Sequence, residues 1–270
     1  MSDLTPSSRL SLRDFTSARV SLPTAGDSIA TSEVLKFQLA HAQARDAVHA
    51  LLDVPAFVKR LGDELSLVTE APIPVIELRT NAADRASYLR RPDLGRTLHR
   101  DSIARLRLGT CDLAIVIADG LSALAVERNA IPVLSHLLPL LFTAGWAMCP
   151  IAIVQQGRVA IGDPIGFLLG ARLSLVLIGE RPGLSSPDSL GAYLTWQPHP
   201  DRRDADRNCL SNIRGGGLSP EDAAARLFWY LQMARARQMT GVALKEGLPE
   251  LADGTPLPRQ KLAKSNNEIL

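Results

Sequence analysis

The chain has 270 residues, of which 46% are hydrophobic and 4% aromatic, and its formal net charge at neutral pH is +2. This composition supports a sizeable aliphatic core, in one large or two modest domains. Nucleic-acid binding is disfavoured, because the chain has neither a basic stripe nor the aromatic residues that stack on bases. No apolar run approaches the roughly 18 residues of a membrane-spanning helix, and residues 1–6 do not begin as a secretory signal does.

The first region, residues 1–105, is predicted to be an irregular arm followed by mainly helical segments. A helix begins at Thr31 with an acid, Glu33, in its first turn, and apolar residues recur along it at spacings of three and four. We expect this stripe to pack on the core and to include His41 as a buried histidine. Further predicted elements are a helix over 56–65, a strand over 72–78 and an arginine-rich helix–turn–helix over 84–99.

The second region, residues 106–244, alternates strands with helices. Predicted strands cover 112–118, 150–154, 173–178 and 192–196, and predicted helices cover 123–146 (two helices, restarted near Pro132), 164–169 and 219–241. Such alternation predicts a parallel sheet with right-handed crossovers. The predicted fold class is therefore α/β, with a helical N-terminal region followed by a mostly parallel, Rossmann-like sheet flanked by helices. Residues 245–270 form a polar tail that we expect to be poorly ordered.

The three cysteines, Cys111, Cys149 and Cys209, are far apart and odd in number. This pattern is typical of a reducing cytoplasm, so we predict neither a disulfide framework nor a zinc site.

A candidate ligand site follows the strand at 173–178, which runs into the glycine- and proline-containing loop 179–183. Open α/β sheets bind ligands at the carboxyl ends of their strands. The loops 119–122 and 157–159 follow parallel strands too, and a loop at 209–217 could join them. Together these loops predict a wide, mostly uncharged pocket with the Glu180 side chain as a hydrogen-bond acceptor.

Two residues leave a different class of function open, a self-sufficient α/β hydrolase or transferase. Ser122 lies in a segment that only half resembles a nucleophile elbow, because the second glycine is missing. Cys209 could be a nucleophile if Arg207 nearby favours its thiolate. No Gly-x-Gly-x-x-Gly fingerprint occurs, which disfavours a nicotinamide enzyme.

Six motifs in order carry a family resemblance over roughly Phe15 to Val242. They are TSARV (16–20), YLRRPDLGR (88–96), DGLS (119–122), GRV (157–159), GERPGL (179–184) and CLSNI (209–213). With these motifs the chain resembles the small subunit, or light chain, of ethanolamine ammonia-lyase, an adenosylcobalamin-dependent bacterial enzyme.

The resemblance implies a two-subunit lyase that converts ethanolamine to acetaldehyde and ammonia by radical chemistry. A large TIM-barrel subunit would hold the substrate, and the small subunit would cover the cobalamin between the two chains without a catalytic residue of its own. By motif, the family's cobalamin contacts fall on Val159, Glu180 and Cys209. A purely structural role for the small chain, as a solubilising partner, is the remaining alternative.

Two further expectations concern the cofactor and the compartment. The motif Asp-x-His-x-x-Gly, whose histidine replaces the benzimidazole on cobalt in some cobalamin proteins, does not occur in this sequence. We therefore expect the cofactor to stay base-on, with no metal ligand from this chain. Some relatives carry an amphipathic extension for a bacterial microcompartment, whereas only a short lead-in precedes Phe15 here, so we expect a free cytoplasmic enzyme.

Overall fold

A computed structural model describes residues 18–69, 72–106 and 109–245, together with Leu12, Phe15 and Thr16. The helices are α1 (Thr31–His49), α2 (Val54–Leu65), α3 (Arg85–Arg90), α4 (Arg100–Ile103), α5 (Ala123–Thr143), α6 (Gly162–Leu168) and α7 (Pro220–Arg237). The strands are β1 (Thr24–Ala25), β2 (Ser28–Ile29), β3 (Val75–Arg79), β4 (Cys111–Ala118), β5 (Ile151–Gln155), β6 (Ala171–Gly179), β7 (Leu190–Trp196) and β8 (Arg207–Ile213). Apart from Lys245, the predicted tail lies outside the described residues.

Strands β3 to β8 form one mixed sheet in the order β3-β5-β4-β6-β7-β8. The first four strands of that order are parallel, whereas β7 and β8 pair antiparallel to their neighbours. The α/β class is confirmed, whereas the predicted Rossmann-like, mostly parallel character is not, because the sheet is mixed and its last two strands are antiparallel. The reason is the length of the connection: residues 180–189 contain no helix and are too few for a crossover, so β7 returns antiparallel to β6.

Helices cover both faces of the sheet. On one face α5 and α7 pack over alternate β4 residues such as Leu113, Ile115 and Ile117, and on the other face α6 packs over the residues between them. Burial on both faces explains why β4 and β6 read as continuous apolar runs. No helix within the described ranges is both long enough and apolar enough to cross a membrane.

Helix α5 is a single helix, although two helices that restart near Pro132 were predicted. Pro132 and Pro139 both lie inside it. An internal proline costs roughly 3 kcal/mol or more. Eleven residues of α5 are buried, so the packing of its apolar surface against the sheet outweighs that cost.

Helix α1 lies at the periphery, and the prediction that its apolar stripe packs on the core is wrong. Only Glu33 and Ala47 are buried in it, whereas the Phe37 side chain is 45% exposed and His41 is exposed. Arg19 of the preceding segment contacts the middle of the helix, and near its C-terminal end the Val48 carbonyl accepts a hydrogen bond from a buried arginine. An amphipathic pattern therefore predicted the helix correctly but not its partner.

Cys111 and Cys149 form a disulfide, which contradicts the prediction that the chain has none. Cys111 begins β4, and Cys149 lies just before β5. Because parallel neighbouring strands begin at the same edge of the sheet, two cysteines that are 38 residues apart come to a Cα–Cα distance of 5.7 Å. Cys209 is the free cysteine, and it is exposed.

Candidate functional site

The three predicted loops after β4, β5 and β6 meet at one edge of the sheet, as expected from parallel neighbours. The Leu121 N–H donates a hydrogen bond to the Gly179 carbonyl at 2.9 Å. The Gly157 N–H donates to Asp119 Oδ1 at 3.3 Å. Gly120 has φ +59°, and a Cβ at this position would collide with the Gly179 carbonyl. The close contact between these loops thus depends on glycine.

Two adjoining hollows lie at this edge. The first hollow, of about 370 Å³, and the second hollow, of about 350 Å³, share Arg158, Val159 and Tyr193 in their walls. The first hollow is otherwise lined by Tyr88, Leu121, Ile178, Gly179, Glu180 and Arg181. The second hollow is otherwise lined by Arg96, Ala160, Asp204, Arg207 and Cys209.

All three residues predicted to contact a cofactor lie on this surface. Glu180 lines the first hollow, Cys209 lines the second, and Val159 lines both. The prediction of a loop over 209–217 is wrong for its first half, which belongs to the edge strand β8. Cys209 is therefore presented by a strand and not by a flexible loop. The role of these residues as cofactor contacts stays a prediction.

Glu180 is held in place by three hydrogen bonds. Its Oε1 accepts from the Ser211 hydroxyl at 2.6 Å, and its Oε2 accepts from the Ser189 hydroxyl at 2.5 Å and the Asn212 N–H at 3.1 Å. A carboxylate has about four acceptor positions, so one remains for a ligand. The side chain is thus a fixed acceptor at the wall of the first hollow.

Cys209 lies opposite Tyr193 in the β7–β8 register. Partial desolvation raises the pKa of its thiol although the residue as a whole is exposed, while the Tyr193 phenol lowers that pKa and the Glu180 carboxylate raises it further. The Arg207 guanidinium instead bonds to the Asp163 carboxylate at 2.6 Å. The expectation of an Arg207-stabilised thiolate is therefore wrong, and with it the main argument for a cysteine nucleophile.

Ser122 is the N-cap of α5 and is fully buried. Its hydroxyl donates to the Pro187 carbonyl at 2.8 Å and accepts from the Ala125 N–H at 3.2 Å. Since the hydroxyl proton is engaged by a backbone carbonyl, this side chain is arranged to begin a helix and not to attack a substrate.

Sequence reasoning missed an aromatic residue at the centre of the site, Tyr88. The guanidinium carbons of Arg85 and Arg158 lie over its buried ring, 4.9 Å and 4.2 Å from the ring centroid. Its hydroxyl donates to the Gly157 carbonyl at 2.9 Å. Burial raises the pKa of Tyr88 well above its usual value. The motif at 88–96 had signalled the family, but nothing in its spacing indicated that this ring supports the loop after β5.

Arg85 joins the N-terminal helices to this edge of the sheet. Its Nη1 donates to the Gly120 carbonyl at 2.7 Å, and its Nε donates to the Val48 carbonyl at 2.7 Å. The same guanidinium lies 3.9 Å from the carboxylate of Asp119. Burial raises the pKa of Asp119 to about 6, while Arg85 and the Gly157 N–H oppose that shift. This buried network positions the loops beneath the two hollows.

Comparison with known proteins identifies relatives along nearly the whole chain. The family model described as ethanolamine ammonia-lyase light chain (EutC) matches residues 7–245. The ethanolamine ammonia-lyase small subunit of Bradyrhizobium diazoefficiens is 52% identical over 256 residues, which cover 92% of this chain and 95% of the relative. That of Pseudomonas putida is 51% identical over 245 residues (88% and 87%), and that of Azotobacter vinelandii is 48% identical over 258 residues (91% and 92%).

Proposed function

The chain belongs to the ethanolamine ammonia-lyase light chain family and is thus a lyase subunit of a two-subunit enzyme; on that premise we propose that it binds adenosylcobalamin at its interface with the large subunit. The reaction is the conversion of ethanolamine to acetaldehyde and ammonia. One observation carries the proposal: Val159, Glu180 and Cys209, the positions that match the family's cobalamin contacts, line two adjoining hollows at one sheet edge.

The walls of the hollows fit the chemistry of a corrinoid. The corrin rim carries amide groups, which need hydrogen-bond acceptors, and Glu180 offers a held carboxylate with an acceptor position to spare. The flat ring system needs apolar contact, which Val159 and the Tyr193 ring offer from the ridge between the hollows. Pockets that enclose drug-sized ligands have volumes of about 300–1,000 Å³, and each hollow lies at the low end of that range. The larger cofactor would be covered on one side only, which supports a site shared with a second chain.

In this arrangement the small subunit does no bond-breaking. Adenosylcobalamin, when bound, supplies the organic radical that begins the reaction. The residues of this chain would position the cofactor and shield it from water. The Glu180 carboxylate would fix an amide of the corrin rim, and Val159 and Tyr193 would exclude water from the covered face. The Cys209 thiol, kept protonated by its raised pKa, offers a small and uncharged contact.

We propose that the cofactor binds base-on and that this chain contributes no ligand to cobalt. Displacement of the benzimidazole requires a histidine beside the lower face of the ring. Among the described residues that line the two hollows, none is a histidine. A spectrum of the holoenzyme with nitrogen-15-labelled histidine tests this proposal, because coupling of a protein nitrogen to cobalt would contradict it.

The partner would cover the periphery at α1. Val34, Leu35, Phe37 and Leu39 of this helix are 40–61% exposed. Helices in proteins draw most of their stability from packing of an apolar face and not from intrinsic propensity. A second chain of the complex would provide that packing, and Arg85 connects the C-terminal end of α1 to the candidate site.

The decisive experiment is release of acetaldehyde from ethanolamine by this chain and its large subunit, together and separately, with and without adenosylcobalamin. We expect activity only with both chains and the cofactor. Activity from this chain alone would contradict the proposal, because the chain would then be a self-sufficient enzyme. A folded complex that fails to bind cobalamin would contradict the proposal, and full activity of the large chain alone would leave the small chain a structural role.

A further inference from the structure

The second hollow contains a guanidinium that is held ready for a ligand. Arg158 lies over the Tyr88 ring at 4.2 Å, and its Nη2 donates to the Tyr88 carbonyl at 3.1 Å. Within the described ranges its Nε has no hydrogen-bond partner and is buried, and Nη1 takes part in none of the hydrogen bonds of this side chain. Stacking thus fixes the plane of the group. Because Nε is buried, Nη1 is the donor of this side chain that is left for a ligand.

Gly95 allows the segment that carries Arg96 to approach Arg158 closely. The Arg158 N–H donates to the Gly95 carbonyl at 2.8 Å. A Cβ on Gly95 would lie 2.8 Å from Arg158 Cγ and 2.9 Å from the Gln156 carbonyl, so a side chain there would push the two segments apart. Arg96, the next residue, lines the same hollow. Its exposed guanidinium forms no hydrogen bond or ion pair with any residue that the structure describes.

The other charged side chains of the second hollow sum to one negative charge. Arg207 is 3% exposed and bonds to the equally buried Asp163 at 2.6 Å, so that pair is neutral. The Asp204 carboxylate lies 3.9 Å from Arg207 Nε, but it is 91% exposed and therefore well solvated. Arg96 and Arg158 together outweigh Asp204 by one positive charge, so the hollow favours an anion.

We propose that Arg96 and Arg158 form an anion-binding pair that takes a phosphodiester, namely the one in the nucleotide loop of cobalamin. Guanidinium groups bind phosphate oxygens through paired charge-assisted hydrogen bonds. The inference rests on the proposed cofactor and adds to it a specific contact. The pair shares its hollow with Cys209 and Val159, so the phosphate would bind beside the contacts made to the corrin.

The test uses corrinoids that differ only in the phosphate. Binding of cobinamide and of cobinamide phosphate to the complex of this chain with its large subunit is measured by equilibrium dialysis. We expect the phosphate to tighten binding at least tenfold in the natural protein. In Arg158→Gln and in Arg96→Gln this gain, the ratio of the two dissociation constants, should fall below about threefold. The exposed Arg96 guanidinium makes no hydrogen bond or ion pair with a described residue, so cobinamide should bind to Arg96→Gln as before. Arg90→Gln, an exposed arginine of α3 that lines neither hollow, is the matched control and should keep the full gain.

Two outcomes overturn the inference, and a third rejects the proposed function. If the phosphate group tightens binding less than twofold in the natural protein, or tightens it fully in both variants, the two arginines do not bind the phosphate. If inorganic phosphate competes with both corrinoids alike although the phosphate group brings no gain, the pair binds free phosphate and not the cofactor. Failure of cobalamin itself to bind would instead reject the proposed function. Unchanged cobinamide binding shows that a variant is folded.

Discussion

Oε1 of Glu180 lies 2.6 Å from the Ser211 hydroxyl, a contact that joins the loop after β6 to the edge strand β8 across 31 residues of sequence. The acceptor of the first hollow is thus positioned by a strand that also carries Cys209 in the second hollow. The antiparallel end of the sheet connects the two halves of the candidate site.

Glu180→Ala should weaken cobalamin binding by the complex. The change removes the acceptor offered to the ligand and leaves the buried Ser189 hydroxyl without its partner, and an unpaired buried group costs about 1–3 kcal/mol. We expect the dissociation constant of cobalamin, measured by equilibrium dialysis, to rise about tenfold. Glu180→Gln, which keeps one amide oxygen, should have an intermediate effect. The exposed Glu221 of α7 provides the control as Glu221→Ala, and an unchanged constant in Glu180→Ala would reject the assigned role.

Bound cobalamin should protect Cys209 from alkylation by an added reagent. Its raised thiol pKa predicts slow reaction with iodoacetamide at pH 7 and faster reaction as the pH rises above 9, because the thiolate is the nucleophile. In the complex with the large subunit, cobalamin should slow labelling at least fivefold, as followed by peptide mass spectrometry. The complex without cobalamin separates protection by the cofactor from protection by the partner. Equal rates with and without cobalamin would place Cys209 outside the cofactor contact.

The disulfide between Cys111 and Cys149 should stabilise the isolated chain. Closing a loop of this sequence separation, 38 residues, is worth about 4 kcal/mol in the chain-entropy account. We expect Cys149→Ser to lower the midpoint of thermal unfolding, and a reductant to lower it only in the natural chain. Cys209→Ser should leave the midpoint unchanged. Rapid labelling of all three cysteines without reductant would show that the bond does not form.

Asp119 should make the stability of the chain depend on pH. Its folded-state pKa of about 6 lies above the ordinary value of 3.8, so between these values the folded state binds more protons than the unfolded state. The stabilisation from protonated Asp119 is therefore complete below pH 4 and is lost as the pH rises through 6. Proton linkage with these two pKa values predicts that the free energy of unfolding falls by about 1.4 kcal/mol from pH 5 to pH 8.

Asp119→Asn isolates this contribution, because an amide can still accept from the Gly157 N–H but does not titrate. The free energy of unfolding of each protein is measured by urea titration at pH 5 and at pH 8. Relative to the variant, the natural chain should lose about 1.4 kcal/mol between these two pH values. A difference that is constant with pH would mean that the Asp119 pKa is close to its ordinary value.

Helix α1 should become protected when the large subunit binds. Its backbone lies at the periphery and its apolar side chains are exposed, so its amides should exchange with deuterium quickly in the isolated chain. We expect exchange over 31–49 to slow in the complex, whereas β4, already buried, should change little. Phe37→Ser should weaken the association of the two subunits, and unchanged exchange over α1 would show that another surface meets the partner.

Much of the site could be predicted from sequence because its signals are local. A continuous apolar run such as 173–178 indicates a strand buried on both faces, and a Gly- or Pro-containing loop after it indicates where a ligand can approach. Because the strands are parallel neighbours, the loops that follow them, which contain Val159 and Glu180, lie at the same edge of the sheet. These inferences need only the order of the elements along the chain.

The tertiary structure decided what depends on contacts between distant segments. The antiparallel return of β7 made β8 a strand, and the pairing of β4 with β5 brought Cys111 to Cys149. The stripe of α1 stayed exposed because periodicity shows that a helix has an apolar face but not which surface covers it. The sequence alone thus determined most of the elements and the family. The approach of Arg96 to Arg158 in one hollow and the fixing of Glu180 by Ser211 required the fold, since such contacts are set by packing across the sheet and not by spacing along the chain.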